Sequence, residues 1–185
     1  YATGIVSGNG AYVGGLIGNL YEGTVTDSYA TGDVSGSEDV GGLIGWSKGA
    51  TVSTSNAIGN VSGSTTIGGL VGTNDGNISE SYATGAVNGS NRVGGLVGVN
   101  TLSVNTSYAT GAVNGTKYVG GLVGYSPDAT ITTSYTTGTV SGSTFVGGLV
   151  GVTSGTVSDN YWDRGTTNQS DAIGSGTGTN LTGFG

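Results

Sequence analysis

The chain has 185 residues, 41 of them glycine, and a formal net charge of −7 with only four Lys and Arg residues. This balance argues against binding to nucleic acids or anionic membrane surfaces, because both need clustered cations. Glycine costs roughly 1 kcal/mol per helical position and the abundant Val, Thr and Tyr favour strands, so the composition predicts an all-β protein. The chain has no Cys and no His, which removes disulfides, thiolate metal sites and the usual general base.

A six-residue motif, seen in Val40 to Gly45, recurs along the chain. Its copies begin at Val13, Val40, Ile67, Val93, Val119 and Val146, so the spacing is 26 or 27 residues. A second block, Ser28-Tyr29-Ala30-Thr31-Gly32, keeps the same interval. Six copies at one period are typical of a repeat architecture.

One period contains three predicted strands, at residues 24–26, 28–35 and 40–44, with a turn at 37–39. In the second strand Ala30 and Val34 alternate with Tyr29 and Thr31, which predicts that the small and Val side chains face inward and that Tyr and Thr face solvent. About 26 residues cannot form a core alone, but they can form one coil that stacks on the next. We therefore expect a parallel β-helix (β-solenoid), right-handed, of about six coils with three short strands per coil.

Equivalent residues should then lie above one another in columns. At ~4.8 Å per coil, six coils give a rod about 25–30 Å long. Gly41-Gly42 is predicted to form a bulge or corner that lets Val40 and Leu43 share the interior, since Gly otherwise weakens a strand; the direction of Ile44 stays open. The one-residue differences between periods are predicted to lie in turns. The predicted core columns are Leu16, Leu43, Leu70, Leu96, Leu122 and Leu149, and Val34, Val87, Val113 and Val140.

The repeat pattern changes near the C-terminal end. We assign residues 1–165 to the repeats and 166–185 to a Gly/Ser/Thr-rich capping or exit segment. Tyr161 and Trp162 are the candidate cap, because Trp162 replaces a small inward residue and the end of a solenoid needs a lid over its core.

The Gly-Gly-Leu-Ile/Val-Gly repeats, such as Gly41 to Gly45, resemble the GLUG motif. The Ser-Tyr-Ala-Thr-Gly blocks are similar to the segments that join GLUG units, and Tyr161-Trp162-Asp163 resembles a closing unit. The resemblance implies a parallel β-helix in a large secreted or surface-attached bacterial protein, such as a filamentous-haemagglutinin-like adhesin or an immunoglobulin-A-specific metalloprotease. It implies no catalytic residue.

Our leading hypothesis is a structural stalk or spacer segment of such an adhesin, on the cell surface or secreted, with flanking domains in a longer chain. One alternative is a module that binds a glycan or a host protein through an exposed Tyr/Thr face. Another is a non-catalytic β-helical part of a secreted metalloprotease, for which a downstream His-Glu-x-x-His would be the sign. The residues of the candidate Tyr/Thr face are Tyr29, Tyr82, Tyr108, Tyr135, Thr31, Thr84, Thr110 and Thr137.

Acidic residues are the remaining chemical candidates. Asp27 and Glu80 hold equivalent positions two coils apart, which predicts a separation of ~10 Å, near the upper limit for an inverting glycosidase pair. We prefer the interpretation of solvated surface charges and expect a protein that is not an enzyme. Glu38-Asp39 and Asn74-Asp75-Gly76, both predicted to be turns, are the candidate positions for calcium, but neither has the dense spacing of oxygen ligands that calcium sites often show. We expect no cofactor and no metal.

Overall fold

The computed structural model describes residues 1–185 as a parallel β-solenoid. Strands pair in parallel with their equivalents one coil away, as Val34 does with Val61 and Val61 with Val87. Like residues therefore stack on like residues through the chain. This confirms the predicted fold class and the predicted stacking of repeats.

The coils build four sheets, which we name A to D. Sheet A comprises Tyr29–Ala30, Asn56–Ala57, Tyr82–Ala83, Tyr108–Ala109, Tyr135–Thr136, Tyr161–Asp163 and Thr182–Phe184. Sheet B comprises Val6–Ser7, Val34–Ser35, Val61–Ser62, Val87–Asn88, Val113–Asn114 and Val140–Ser141. Sheet C comprises Val13–Gly14, Glu38–Gly41, Thr65–Gly68, Asn91–Gly94, Lys117–Gly120 and Thr144–Gly147. Sheet D comprises Ile17–Thr26, Ile44–Ser53, Val71–Ser79, Val97–Asn100, Ser103–Asn105, Val123–Ser126, Thr130–Thr132, Val150–Thr153, Thr156–Ser158 and Ile173–Ser175.

The prediction of three strands per coil is wrong in its count, because two predicted strands are each divided by a corner. The strand predicted at 28–35 divides between sheets A and B at Gly32, where a Cβ atom would lie 2.0 Å from the carbonyl oxygen of Gly4. The strand predicted at 40–44 divides between sheets C and D. Two predicted turns are also wrong: Glu38-Asp39 lies in the strand Glu38–Gly41, and Asn74-Asp75-Gly76 lies in the strand Val71–Ser79.

The glycine pair of the motif forms the corner between sheets C and D. A Cβ atom on Gly42 would lie 2.2 Å from the carbonyl oxygen of Gly69 in the next coil, and one on Gly41 would lie 2.0 Å from the carbonyl oxygen of Ile44. Only glycine permits this approach of backbones. Because the chain bends here, Leu43 and Ile44 both point inward and are 0% exposed, although neighbours in a regular strand face opposite ways.

The interior consists of two separate hydrophobic clusters. Leu43 packs in the larger cluster, with the Ala30 and Ile44 columns, whereas Val40 packs in the smaller one with the Val34 column. Val40 and Leu43 are both 0% exposed, so the predicted corner with both side chains inside is confirmed, but the two lie in different clusters. The glycine column lies between them: a Cβ atom on Gly15 would lie 3.0 Å from the Ala30 Cβ and 3.3 Å from a methyl group of Val34.

The predicted core columns are buried, with one exception. Leu43, Leu70, Leu96, Leu122 and Leu149 are 0% exposed, and the Val34 column is at most 2% exposed. Leu16 is only partly buried, because its coil is covered on one side only.

The difference between 26- and 27-residue coils lies in a bend within sheet D. Each 27-residue coil has positive φ at this place: at Glu22 (58°) and Gly23 (94°), at Gly49 (63°), or at Asp128 (50°). The register between neighbouring strands shifts at the same place, between Asp75 and Asn77. The insertions therefore lie in a bend inside one sheet, not in a turn between sheets.

The last residues form a shortened layer on the final coil. Asp163 caps the helix Arg164–Thr167 by accepting hydrogen bonds from the N–H groups of Gly165 and Thr166. The strands Ile173–Ser175 and Thr182–Phe184 then pair with the coil beneath.

The two candidate cap residues lie on opposite faces of their strand. Trp162 is 5% exposed within the larger cluster, and its indole N–H donates to the carbonyl oxygen of Gln169 at 3.0 Å. Tyr161 does not cover the core. It is 46% exposed and continues the outward tyrosine column above Tyr135, because alternation in the strand turns it away from Trp162.

Candidate functional surfaces

A hydrogen-bond ladder of serines positions the tyrosine column. From Ser55 on, each serine of this column accepts a bond from the serine N–H one coil earlier: the Ser81 N–H donates to Ser107 Oγ at 3.2 Å, and the Ser107 N–H to Ser134 Oγ at 3.1 Å. Each hydroxyl also donates to the carbonyl two residues before it, as Ser107 does to Asn105 at 2.7 Å. Asn160 completes the ladder by accepting from the Ser134 N–H at 2.8 Å.

The residue before each ladder position has a left-handed backbone conformation. This kink is uncommon for residues other than glycine, yet it recurs in six coils with φ between 46° and 57°. The side chains at this position are exposed, so acids and threonine are both accommodated. The members are Asp27, Thr54, Glu80, Thr106, Thr133 and Asp159.

The tyrosines of sheet A form a stack on the outside of the solenoid. The rings of Tyr82 and Tyr108 have centroids 4.8 Å apart and an interplanar angle of 2°, and those of Tyr108 and Tyr135 are 4.9 Å apart at 9°. Tyr29 lies below the gap left by Asn56 and stacks on Tyr1 at 5.1 Å. Burial raises the pKa of the Tyr108 phenol, with a further contribution from its two tyrosine neighbours.

This stacking limits what the Tyr/Thr face can bind. Both faces of the Tyr108 ring are covered by neighbouring rings, so the stack presents ring edges and hydroxyl groups to solvent. The threonine column beside it is interrupted by Ile58, which is 47% exposed. Thr84 and Thr110 are exposed, while Thr31 and Thr137 are half-buried.

A second aromatic surface, which the sequence analysis missed, lies along the corner between sheets C and D. We name it the corner surface. It combines residues just before each motif copy with residues just after it. The first group contains Tyr12, Asp39, Arg92, Tyr118 and Phe145, and the second contains Trp46, Thr73 and Tyr125.

Contacts join the two groups and also run along the first group between coils. Tyr12 stacks on Trp46 of the second group with centroids 5.2 Å apart, and within the first group Tyr118 stacks on Phe145 at 5.4 Å. The Trp46 indole N–H donates to Asp75 Oδ2 at 2.8 Å. The aromatic residues on both sides of the glycine motif were the sequence signal that could have located this surface.

The cations of the chain concentrate on the corner surface. Lys48 lies 5.5 Å from the Trp46 ring centroid, Arg92 lies 5.7 Å from that of Tyr125, and Lys117 lies 4.5 Å from that of Tyr118. Only Arg164, over Trp162, lies elsewhere. A surface with Trp, Tyr and Arg has the composition that dominates binding energy in protein interfaces.

Asp39 is the acidic residue of the corner surface, and the pKa of its carboxyl group is shifted. Burial raises the pKa of its carboxyl group above the ordinary value of 3.8, although a hydrogen bond from Thr73 opposes the change. Asp39 also has a φ of 43°.

The other acidic candidates take part in local contacts. Asp27 accepts a hydrogen bond from the Thr54 hydroxyl at 2.8 Å, and Glu80 is exposed. Asp75 accepts from Trp46 and from the Thr101 hydroxyl. The structure has no group of three or more Asp and Glu side chains that could hold a metal ion. It also has no helix of the length and apolarity needed to cross a membrane.

The fold defines a β-solenoid repeat protein, and comparison with protein families gives the repeat type. The family model of the GLUG motif matches residues 9–35, 63–88 and 115–141. The chain therefore carries GLUG-motif repeats, and the three matches fall on alternate coils. No curated protein and no solved structure matches the chain.

Proposed function

We propose that the chain is a stalk or spacer segment of a bacterial surface adhesin or secreted filament, which holds a binding domain away from the cell. The observation that supports this role is the in-register stacking of the valine column of sheet B through six coils. Each inner strand is hydrogen-bonded to a coil on both sides, so bending or stretching the rod must break many bonds together. The GLUG motif and the acidic, cysteine-free composition support a secreted or surface location.

Force spectroscopy tests the mechanical role. The chain is held by its two ends and extended at constant speed. We expect the contour length to increase in steps of about 90 Å, because each coil of 26 residues that unfolds releases ~3.5 Å of contour length per residue. Smooth extension without force peaks would contradict a stalk.

Antibodies raised against the folded chain test the location. Intact cells of the source organism should bind the antibody without permeabilisation, and spent medium should contain the antigen if the protein is a secreted filament. Labelling that requires permeabilised cells would contradict the proposed surface or secreted role.

A second candidate function is recognition of a glycan or a partner protein through an aromatic surface. The corner surface favours it more than the tyrosine stack does, because its aromatic rings lie beside cations and hydrogen-bonding groups. The stack, in contrast, has its inner ring faces covered.

Two double variants separate these surfaces on a glycan array. Tyr118→Ser with Tyr125→Ser removes rings from the corner surface, and Tyr82→Ser with Tyr108→Ser removes them from the stack. We expect any retained glycan to be lost with the first pair and kept with the second. The opposite result would assign binding to the Tyr/Thr face, and retention by both variants would exclude both surfaces.

A further inference from the structure

We propose that the stacked tyrosines Tyr82, Tyr108 and Tyr135 are an oxidative modification site. Hydrogen peroxide with a haem peroxidase would join neighbouring rings there as dityrosine and so link adjacent coils covalently. The proposal concerns the chemistry of this surface and is independent of the stalk role.

The geometry brings phenol rings from separate parts of the sequence into contact. Tyr82, Tyr108 and Tyr135 are direct register partners in sheet A, so the backbone ladder holds their rings together. Centroid distances of 4.8 and 4.9 Å and interplanar angles of 2° and 9° hold the rings of each pair nearly parallel and stacked on one another. Tyr135 is 39% exposed and the other two are half-buried, so the oxidant reaches the edges that carry the hydroxyl groups.

The reaction balances with one equivalent of peroxide per link. The oxidised peroxidase removes one electron and one proton from each of two phenols, which leaves two tyrosyl radicals. The radicals couple through a carbon–carbon bond between the positions next to the phenol oxygens. Each coupled carbon then loses its hydrogen as the ring regains aromaticity and the oxygen regains a proton. The net change is loss of two hydrogen atoms from the protein and reduction of peroxide to two waters.

The other tyrosines provide internal comparisons. Tyr29 faces Asn56 across the next coil and can couple only to Tyr1. Tyr118 stacks on Phe145, which has no phenol. Its contact with Tyr125 is longer and inclined, at 5.8 Å and 42°. Tyr82, Tyr108 and Tyr135 are therefore the tyrosines whose phenol rings stack through three consecutive coils.

Peptide mapping tests the proposal, because the three tyrosines fall on different tryptic peptides. The four basic residues divide the chain so that Tyr82 lies in 49–92, Tyr108 in 93–117 and Tyr135 in 118–164, and the first two peptides contain no other tyrosine. The dilute folded chain is treated with peroxide and horseradish peroxidase, then denatured and digested. We expect peptide 93–117 joined to 49–92 or to 118–164, two hydrogen atoms lighter than the sum, from a product that remains monomeric.

Two conservative variants complete the test. Tyr108→Phe keeps a stacked ring without a phenol and should abolish both links within the three-ring stack. Tyr82→Phe, the matched control, should abolish only the link to 49–92 and keep that between 93–117 and 118–164. The proposal is overturned if the native chain gives links only between molecules or no link to 93–117. It is also overturned if chain unfolded in denaturant gives the same links in equal yield.

Discussion

Serine at the start of each Ser-Tyr-Ala-Thr-Gly block has a specific physical task. Its hydroxyl group accepts from the backbone N–H of one coil and donates to a carbonyl of its own coil, within a buried region. A buried N–H without an acceptor costs about 1–3 kcal/mol. This explains why serine, and not simply a small residue, recurs there.

Replacing one ladder serine should therefore destabilise the chain. Ser107→Ala removes the acceptor of the Ser81 N–H, and we expect the free energy of unfolding to fall by about 1–3 kcal/mol. Ser126→Ala is the control, since the Ser126 hydroxyl is buried but has no hydrogen-bond partner, and it should change stability by less than about 1 kcal/mol. Urea titration measures both. Equal losses would contradict the role given to the ladder.

The residue before each ladder serine has a left-handed backbone conformation, and this leads to a second prediction. Thr106 has a φ of 47° and an exposed side chain, and such a conformation costs roughly 1–2 kcal/mol for a residue with a Cβ atom. Thr106→Gly should raise the thermal midpoint, whereas Thr110→Gly, at an exposed position without positive φ, should lower stability by roughly 0.5–1 kcal/mol. A lower midpoint for both variants would show that the kink carries no strain.

Asp39 provides a pH-dependent prediction. Burial raises its pKa in the folded chain above the ordinary value of 3.8, so the ionised carboxylate destabilises the fold. The favourable contribution of the protonated acid is complete below the unfolded pKa and is lost as the pH rises through the folded pKa. Asp39→Asn should therefore be more stable than the native chain at neutral pH, and this advantage should vanish in acid. Denaturant titrations at several pH values measure the difference in unfolding free energy between the variant and the native chain. A difference that grows as the pH falls would contradict the prediction.

At the scale of the element, the corner between sheets C and D depends on its two glycines. A Cβ atom on Gly95 would lie 2.1 Å from the carbonyl oxygen of Gly121 and 2.9 Å from the Ala109 Cβ. The first of these is backbone of the neighbouring coil, which cannot move without separating two coils.

We expect Gly95→Ala to lower the free energy of unfolding by about 3 kcal/mol or more, at the upper end of overpacking effects. Gly10→Ala is the matched control, because no atom lies within 4 Å of a Cβ atom there, and its stability should stay within about 0.5 kcal/mol of native. Chemical denaturation compares the two. A Gly95→Ala chain as stable as Gly10→Ala would mean that the corner relaxes freely.

For the whole molecule, the period and the alternation of residues were sufficient to predict the solenoid and the columns that lie in its interior. They could not predict that Val40 and Leu43 pack in separate clusters. That separation arises from backbone contacts between coils at Gly42. The sequence shows only a glycine at this position and does not reveal the contacts.

The functional surfaces were predicted less completely, for a related reason. Tyr29, Tyr82, Tyr108 and Tyr135 share one repeat position, so their column follows from the period. Residues of the corner surface vary in type, as Arg92 and Tyr118 do at one position. They meet because the corner folds one side of the motif against the other, a contact that residue spacing does not reveal.

The central claim is that equivalent residues lie one coil apart through the whole chain, and electron spin resonance tests it most directly. The chain contains no cysteine, so Ser7→Cys with Ser141→Cys gives two spin labels only. These exposed residues belong to one column and are separated by five coil steps, which predicts a narrow distribution of distances with about 24 Å between the Cα atoms. Ser62→Cys with Ser141→Cys spans three steps and should give about 14 Å. A broad distribution, or two distances that do not scale with the number of coils, would contradict the stacked solenoid.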